Sequence, residues 1–154
     1  MAAPTDRIDL KALFDAIGDA VIVADPSGVV TLWNPAAERM FGFTADEAVG
    51  QRMDMIVPER LRKRHWEGYD QSMATGTTKY GHDLLKVPAV NKAGESMSIA
   101  FTVCMLYDEA GKVTACASVI RDETARFNDE RALRKRLTEL EAQLKAASPP
   151  PAGS

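Results

Sequence analysis

The segment Ala20–Phe43, AVIVADPSGVVTLWNPAAERMFGF, predicts a β-hairpin that runs directly into a capped helix. Two apolar, β-branched runs flank Asp25–Gly28, a turn sequence that contains both proline and glycine. Asn34 offers a side-chain oxygen to cap the helix, and Pro35 suits the first helical position. The helix should end at Gly42, because glycine readily adopts the conformation that closes helices.

Helical patterns surround this hairpin. The apolar residues of the range Leu10–Ile17 recur on one helix face, which predicts an N-terminal helix. Thr44 and Glu47 have the spacing of a capping box at the start of a short helix. Pro58 begins a longer helix that we expect to end near Gly76.

Strand patterns follow the longer helix. A third strand is predicted within Lys79–Ala89, followed by a hairpin turn at Asn91–Gly94. Apolar and smaller residues alternate through Met97–Met105, which is typical of a half-buried strand. A turn at Asp108–Gly111 then leads to a last strand, Val113–Ile120. The chain therefore carries five predicted strands, with helices between the second and the third.

Bulk composition limits the classes of function. The 154 residues include 45% hydrophobic and 27% charged residues, enough for one core without disulfides. A net charge of −3 disfavours a general nucleic-acid-binding surface, and the basic cluster Arg60–Arg64 is typical of a solvated helix face. Without a signal core or an apolar run of membrane-spanning length, we expect a cytoplasmic protein with no membrane partner.

Several motifs of this chain, taken together, resemble the PAS family of sensor domains. They are Asp25-x-x-Gly28, Trp33–Phe43, Glu47-x-x-Gly50, Asn91–Glu95 and Arg121–Thr124. The resemblance implies an α+β fold in which helices cover one face of a five-stranded antiparallel sheet. It also implies an N-terminal helix and a C-terminal amphipathic, coiled-coil signalling helix.

The domain boundaries follow from this resemblance and from composition. We expect a flexible N-terminus over residues 1–8, the PAS domain over 9–125, a signalling helix over 126–146 and a disordered tail over 147–154. Within the helix, leucines at 4-3-4 spacing form a heptad-like seam that favours a parallel dimer: Leu133, Leu137, Leu140 and Leu144. A single amphipathic helix folded back on the domain is the alternative.

No enzyme site emerges from the sequence. It contains no glycine-rich phosphate loop, no ligand cluster at metal spacing and no nucleophile elbow. Cys104 and Cys116 do not form a CxxC pair. Blue-light PAS domains carry a flavin-reactive cysteine in the central helical region, where this chain has Gly50–Met55 without cysteine, so a flavin–cysteine adduct is not expected.

The longer helix carries the most informative side chain, His65. Leu61, His65 and Tyr69 share one helix face with Gly68 and Ser72, so His65 is predicted to point inward. A lone inward histidine is commonly a hydrogen-bonded core residue. A ligand role for His65 is the competing interpretation.

Pro58–Tyr69 resembles the corresponding segment of rhizobial oxygen-sensor kinases of the FixL type. That resemblance implies that His65 is the axial ligand of a haem b iron, with the sixth position open to a diatomic gas. Leu61 and Tyr69 would share the haem-facing side of the helix. Phe101 and Val103 would line the distal side of the haem.

The chain departs from the FixL pattern at three positions. Leu85 stands where that family has an oxygen-binding arginine, and leucine cannot donate a hydrogen bond. Lys79 and Gln71 replace a propionate-contacting histidine and arginine, and Lys79 retains the charge for a propionate. Tyr80 or His82 could supply a donor in place of the missing arginine.

Three further residues complete the expected site. Small Ala117 on the last strand leaves room for a ligand or for tight helix packing. Asp122 and Thr124 resemble the family's junction between the last strand and the output helix, although Asp122 could be a plain helix cap. The alternatives to a haem sensor are a cofactor-free dimerisation module that docks a histidine kinase or another regulator, and a PAS domain that senses an apolar small molecule.

Overall fold

A computed structural model describes residues 7–148, so residues 1–6 and 149–154, which make up most of the expected flexible termini, lie outside the described residues. The chain forms two compact units, the first ending at Asp122 and the second beginning at Glu123. The helices are α1 (Leu10–Ala16), α2 (Pro35–Phe41), α3 (Ala45–Ala48), α4 (Arg62–Thr75) and α5 (Thr124–Ala147), with 3₁₀ turns at Met53–Ile56 and Glu59–Leu61. The strands are β1 (Ala20–Ala24), β2 (Val30–Trp33), β3 (Leu85–Val90), β4 (Ser96–Tyr107) and β5 (Val113–Asp122).

The five strands form one antiparallel sheet in the order β2-β1-β5-β4-β3. The helices α2, α3 and α4 are inserted between β2 and β3, as the sequence predicted. Their apolar side chains pack with those of the sheet in one core cluster. The expected α+β PAS fold, with an N-terminal helix and a C-terminal helix, is therefore confirmed.

The hairpin-to-helix segment folds as its local chemistry predicts. Asp25 accepts hydrogen bonds from the backbone N–H groups of Ser27 and Val29, and Gly28 takes a φ of 87°. Asn34 caps α2 by accepting from the Ala37 N–H at 3.0 Å. These bonds form the turn and the cap within a few residues, which is why sequence alone identifies them.

The third strand begins later in the structure than the sequence pattern predicted. Residues 79–82 form turns, residues 83–84 have no regular secondary structure, and β3 starts only at Leu85. Gly81 adopts a φ of 56°, a left-handed conformation that interrupts an extended chain. The longer helix also differs at its start, because Glu59–Leu61 forms a 3₁₀ turn before α4.

The two faces of the sheet have distinct environments. Side chains of β5 alternate, and Cys116, Ser118 and Ile120 are buried on one face of the sheet. Cys116 and Ile120 share the core cluster with Tyr69 of α4, so we call this face the helix-covered face. Directly paired residues of antiparallel strands share a face, and Ile22 of β1 opposes Ser118. The opposite face is more exposed, with Val119 at 40% of its maximal accessibility.

Candidate functional site

Helix α4 places Tyr69 and His65 one turn apart. Tyr69 is 9% exposed, belongs to the core cluster, and donates its hydroxyl hydrogen bond to the carbonyl oxygen of Asp25. The His65 ring stacks on the Tyr69 ring with centroids 6.1 Å apart and planes inclined by 27°. His65 is half-buried, which agrees with the inward orientation predicted from the helical spacing.

His65 carries a buried nitrogen that lacks a partner. Within residues 7–148, Nδ1 of His65 is the side-chain nitrogen or oxygen that is buried without a hydrogen bond. Burial lowers the pKa of His65 below 6.5, and the positive charge of Arg52 adds to this while Asp54 and Asp70 oppose it. The lowered pKa favours the neutral imidazole, which is the form that binds metal ions.

Trp66 completes an aromatic cluster that the helical spacing did not reveal. Its ring meets the His65 ring edge-on, with centroids 4.7 Å apart, and the guanidinium of Arg52 lies 4.0 Å from the centroid of the indole. The indole N–H donates to Asp54. A Cβ atom at Gly28 would lie 2.3 Å from the Trp66 ring, so only glycine fits beneath this indole.

The sheet supplies the apolar residues that the sequence analysis assigned to the site. Leu85 of β3 pairs with Phe101 of β4, so the two share a face. Phe101 and Val103 pack against the core cluster that contains Tyr69. Three predicted lining residues (Leu85, Phe101 and Val103) therefore lie on the helix-covered face.

Ala117 lies on the other face of the sheet, which corrects its expected place in the site. It is adjacent to Cys116, which belongs to the core cluster, and successive strand residues point to opposite faces. Burial raises the pKa of Cys116 to about 11. Cys104 pairs with Ala117 and is exposed, so the two thiols lie on opposite faces of the sheet.

The other polar residues expected near the ligand lie in the connection between α4 and β3. Lys79 and Tyr80 are both exposed there, and the Lys79 Nζ atom lies 5.2 Å from the centroid of the Tyr80 ring. His82 is exposed in the same connection. Leu61 is half-buried immediately before α4.

Asp122 and Thr124 lie at the junction expected from the family resemblance. Asp122 is the last residue of β5, and Thr124 is the first residue of α5. Glu123 occupies the helix N-cap position, and its side chain makes no capping hydrogen bond.

No three His, Cys, Asp or Glu side chains between residues 7 and 148 are grouped so that they could hold a metal ion. None of the helices there is long and apolar enough to cross a membrane.

The fold and its helix-covered face define a sensory domain of the PAS class. The model of the PAS fold family matches residues 8–122. The chain belongs to the PAS family. A crystal structure of a PAS domain from Colwellia psychrerythraea superposes with a TM-score of 0.66 at 21% identity, covering 75% of this chain and 95% of that one.

Three relatives extend the comparison. An uncharacterized protein of Azorhizobium caulinodans is 32% identical over 126 residues, covering 81% of this chain and 17% of that protein. The sensor protein FixL of Bradyrhizobium diazoefficiens is 41% identical over 64 residues, covering 42% of this chain and 13% of that protein. The oxygen sensor protein DosP of Escherichia coli is 28% identical over 117 residues, covering 76% and 14% respectively. The chain thus spans less than a fifth of the length of each relative.

Proposed function

We propose that this PAS domain binds haem b through His65 and reports a diatomic gas or a redox state. The observation that carries the proposal is the half-buried His65 imidazole, whose pKa is lowered by burial and whose Nδ1 atom is buried without a partner. A buried polar atom normally has a bonding partner, so an unpartnered one indicates that a ligand is missing from the site. The names of the sensor protein FixL and the oxygen sensor protein DosP support the same class of function.

The remaining residues divide into an apolar wall and a polar rim. Tyr69, Phe101 and Val103 pack on the helix-covered face, where apolar contacts would hold the porphyrin. Lys79 is exposed at the edge of the domain, where an ammonium group would pair a propionate. Bound haem would supply an iron that binds small gases reversibly, and His65 would be the residue that holds that iron.

Leu85 bears on the choice of gas. It lies on the helix-covered face beside Phe101, and its side chain has no hydrogen-bond donor. Bound oxygen is polar and gains from a donor, whereas carbon monoxide depends on one much less. We therefore expect a weaker preference for oxygen over carbon monoxide than a domain with arginine at this position would show.

The ligand-binding signal is proposed to pass to α5 through the junction formed by Asp122 and Thr124. These residues connect the last strand to α5, so a ligand-dependent change in the strand would alter the start of the helix. We further propose that the domain is cytoplasmic, works as a sensor rather than an enzyme, and acts as a homodimer through its N- and C-terminal helices. Its regulatory partner would be a histidine kinase or another regulator.

The test is the absorption spectrum of the protein reconstituted with haem. Wild-type protein should give a sharp Soret band and retain haem through gel filtration, and His65→Ala should lose or shift that band. His82→Ala is the matched control, because His82 is the second of the two histidines and is exposed. Equal spectra for wild type and His65→Ala would remove His65 as the ligand.

A cofactor-free module, or a domain that senses an apolar small molecule, is the second candidate. The observation that favours it is that Tyr69 of α4 lies within the core cluster and Trp66 packs directly against that cluster. A protein that gives no specific Soret band and binds an apolar fluorescent dye competitively with small ligands would support the second candidate.

A further inference from the structure

We infer that the cavity beside Arg52 and Arg62 binds a small organic carboxylate with an apolar body. The two guanidinium groups would donate hydrogen bonds to the carboxylate, and the apolar body would cover the apolar part of the cavity wall. Occupancy of the cavity would be transmitted to His65 through the indole of Trp66. The inference does not rest on haem binding.

The cavity is a second site, distinct from the helix-covered face. Its volume is about 450 Å³, which is within the range of small-molecule sites in proteins. Its lining residues all lie between residues 43 and 62 of the chain, before the sheet residues of β3, β4 and β5. The site proposed for haem uses His65 and strand residues instead, so the two sites have separate walls.

The two arginines of the cavity have hydrogen-bond donors to spare. The Arg62 Nε atom donates to the carbonyl oxygen of Val57 at 3.1 Å, and the Arg52 guanidinium lies 4.0 Å from the centroid of the Trp66 indole. Neither guanidinium takes part in an ion pair within residues 7–148. A guanidinium carries several N–H donors in a planar fork that matches a carboxylate. Stacking on the indole also holds the Arg52 fork in place before a ligand arrives.

The two acidic residues of the cavity already have partners. Glu47 accepts from the Lys92 Nζ atom at 2.6 Å and from the Thr44 backbone N–H at 3.1 Å. Asp54 accepts from the indole N–H of Trp66. The cationic groups are therefore the ones with bonding capacity left, and they favour an anion. A doubly charged phosphate would be repelled by the two carboxylates of the wall, so a singly charged carboxylate fits better.

Phe43 and Met55 form the apolar part of the cavity wall. Both side chains are half-buried and pack against the core cluster, which holds them in position. A carboxylate with an aromatic or aliphatic body would remove this apolar surface from water and gain affinity from its burial. Acetate and inorganic phosphate have no such body and would gain nothing from it.

Trp66 connects this cavity to His65. Its indole carries the Arg52 guanidinium and meets the His65 ring edge-on, with ring centroids 4.7 Å apart. The positive charge of Arg52 lowers the pKa of His65, whereas the negative charges of Asp54 and Asp70 raise it. A carboxylate bound to Arg52 would offset the positive charge beside the indole, so it should change the surroundings of the imidazole.

The test is an NMR titration of the full chain with phenylacetate and with hexanoate at constant, low ionic strength. The Nε–Hε signals of Arg52 and Arg62 should shift along saturable curves. Acetate, which lacks the apolar body, 2-phenylethanol, which lacks the charge, and inorganic phosphate should each bind about tenfold more weakly or worse.

Variants of the arginines test which groups hold the carboxylate. Arg52→Gln and Arg62→Gln should each weaken phenylacetate binding about tenfold, because each removes one charge-assisted contact. Arg60→Gln is the matched control, since Arg60 is exposed, lies outside the cavity wall and loses the same charge. It should change the dissociation constant less than about twofold. Arg52 is itself exposed, so Arg52→Gln tests the site even if Arg62→Gln disturbs the chain near Val57.

The same titration tests the connection to His65. Its ring C2–H resonance should shift in step with the Arg52 signal as phenylacetate is added. His82 is the matched control, because it is exposed in the connection between α4 and β3 and should not respond. A titration that moves the arginine signals and leaves His65 unchanged would overturn the proposed transmission.

Other results would overturn the site itself. They are the absence of saturable binding of either carboxylate at millimolar concentrations, equal effects of Arg52→Gln and Arg60→Gln, and binding of 2-phenylethanol or phosphate as tight as that of phenylacetate. A protein that binds phenylacetate in this way but takes up no haem would refute the haem proposal alone. A protein that binds haem but neither carboxylate would refute this inference alone.

Discussion

Replacement of Asn34 by alanine tests how the first unit is held together. Asn34 is fully buried, and its Oδ1 atom accepts from the backbone N–H groups of Val21 at 2.9 Å and Ala37 at 3.0 Å. Its Nδ2 atom donates to the carbonyl oxygens of Phe14 at 3.3 Å and Asp19 at 3.1 Å. One amide thus joins the end of α1, the first strand and the start of α2.

The magnitude follows from these four bonds. A hydrogen bond within a protein contributes about 1 kcal/mol net, and loss of a helix cap alone costs about 1 kcal/mol. Asn34→Ala leaves backbone groups of Val21 and Ala37 without their partner in a buried place, so the cost should exceed that of the cap. We expect a loss of about 3 kcal/mol in the free energy of unfolding, a large part of the stability of a small domain.

The assay is urea denaturation followed by circular dichroism, with Asn91→Ala as the matched control. Asn91 makes one comparable bond, accepting from the Glu95 N–H at 2.9 Å in an exposed turn, so its replacement should cost about 1 kcal/mol or less. If Asn34→Ala proved no more destabilising than Asn91→Ala, the claim that the buried amide joins three elements would be refuted.

Three further outcomes are expected. Gly28→Ala should lower the free energy of unfolding by about 3 kcal/mol, because the new Cβ would lie 2.3 Å from the indole ring of Trp66. Gly111→Ala, at a similar positive φ but with open space around it, should lower it by about 1 kcal/mol. Equal losses for the two variants in urea denaturation would contradict the contact with Trp66. Burial lowers the pKa of His65 in the folded protein, so the unfolded chain binds more protons than the folded one. The free energy of unfolding should therefore fall as the pH drops below 6.5. If His65→Gln showed the same pH dependence of stability as the wild type, His65 would not be the cause. A thiol reagent at pH 8 should label Cys104 at least tenfold faster than Cys116, because Cys116 is buried and its pKa is raised to about 11. Equal labelling rates in the folded protein would show that the two thiols are assigned to the wrong faces of the sheet.

The sequence determined the elements whose signals are local. The turn at Asp25–Gly28, the Asn34 cap and the Thr44–Glu47 capping box are confirmed because each depends on bonds within a few residues. Strict alternation in β4 likewise identified Phe101 and Val103 as inward-facing, since one set of alternate residues there is clearly more apolar. His65 and Tyr69 followed from the helical period.

Only the tertiary structure decided the rest of the site. In β5 both alternate sets are small or apolar, so the pairing with β1 was needed to show that Ala117 faces away from α4. Trp66 packs on Gly28, 38 positions earlier in the chain, and no local pattern reports such a contact. The four bonds of Asn34 and the unpartnered Nδ1 of His65 are likewise properties of the assembled core. The backbone conformation of a residue depends largely on its neighbours in the sequence. The direction and surroundings of its side chain depend instead on strand register and on packing between distant segments.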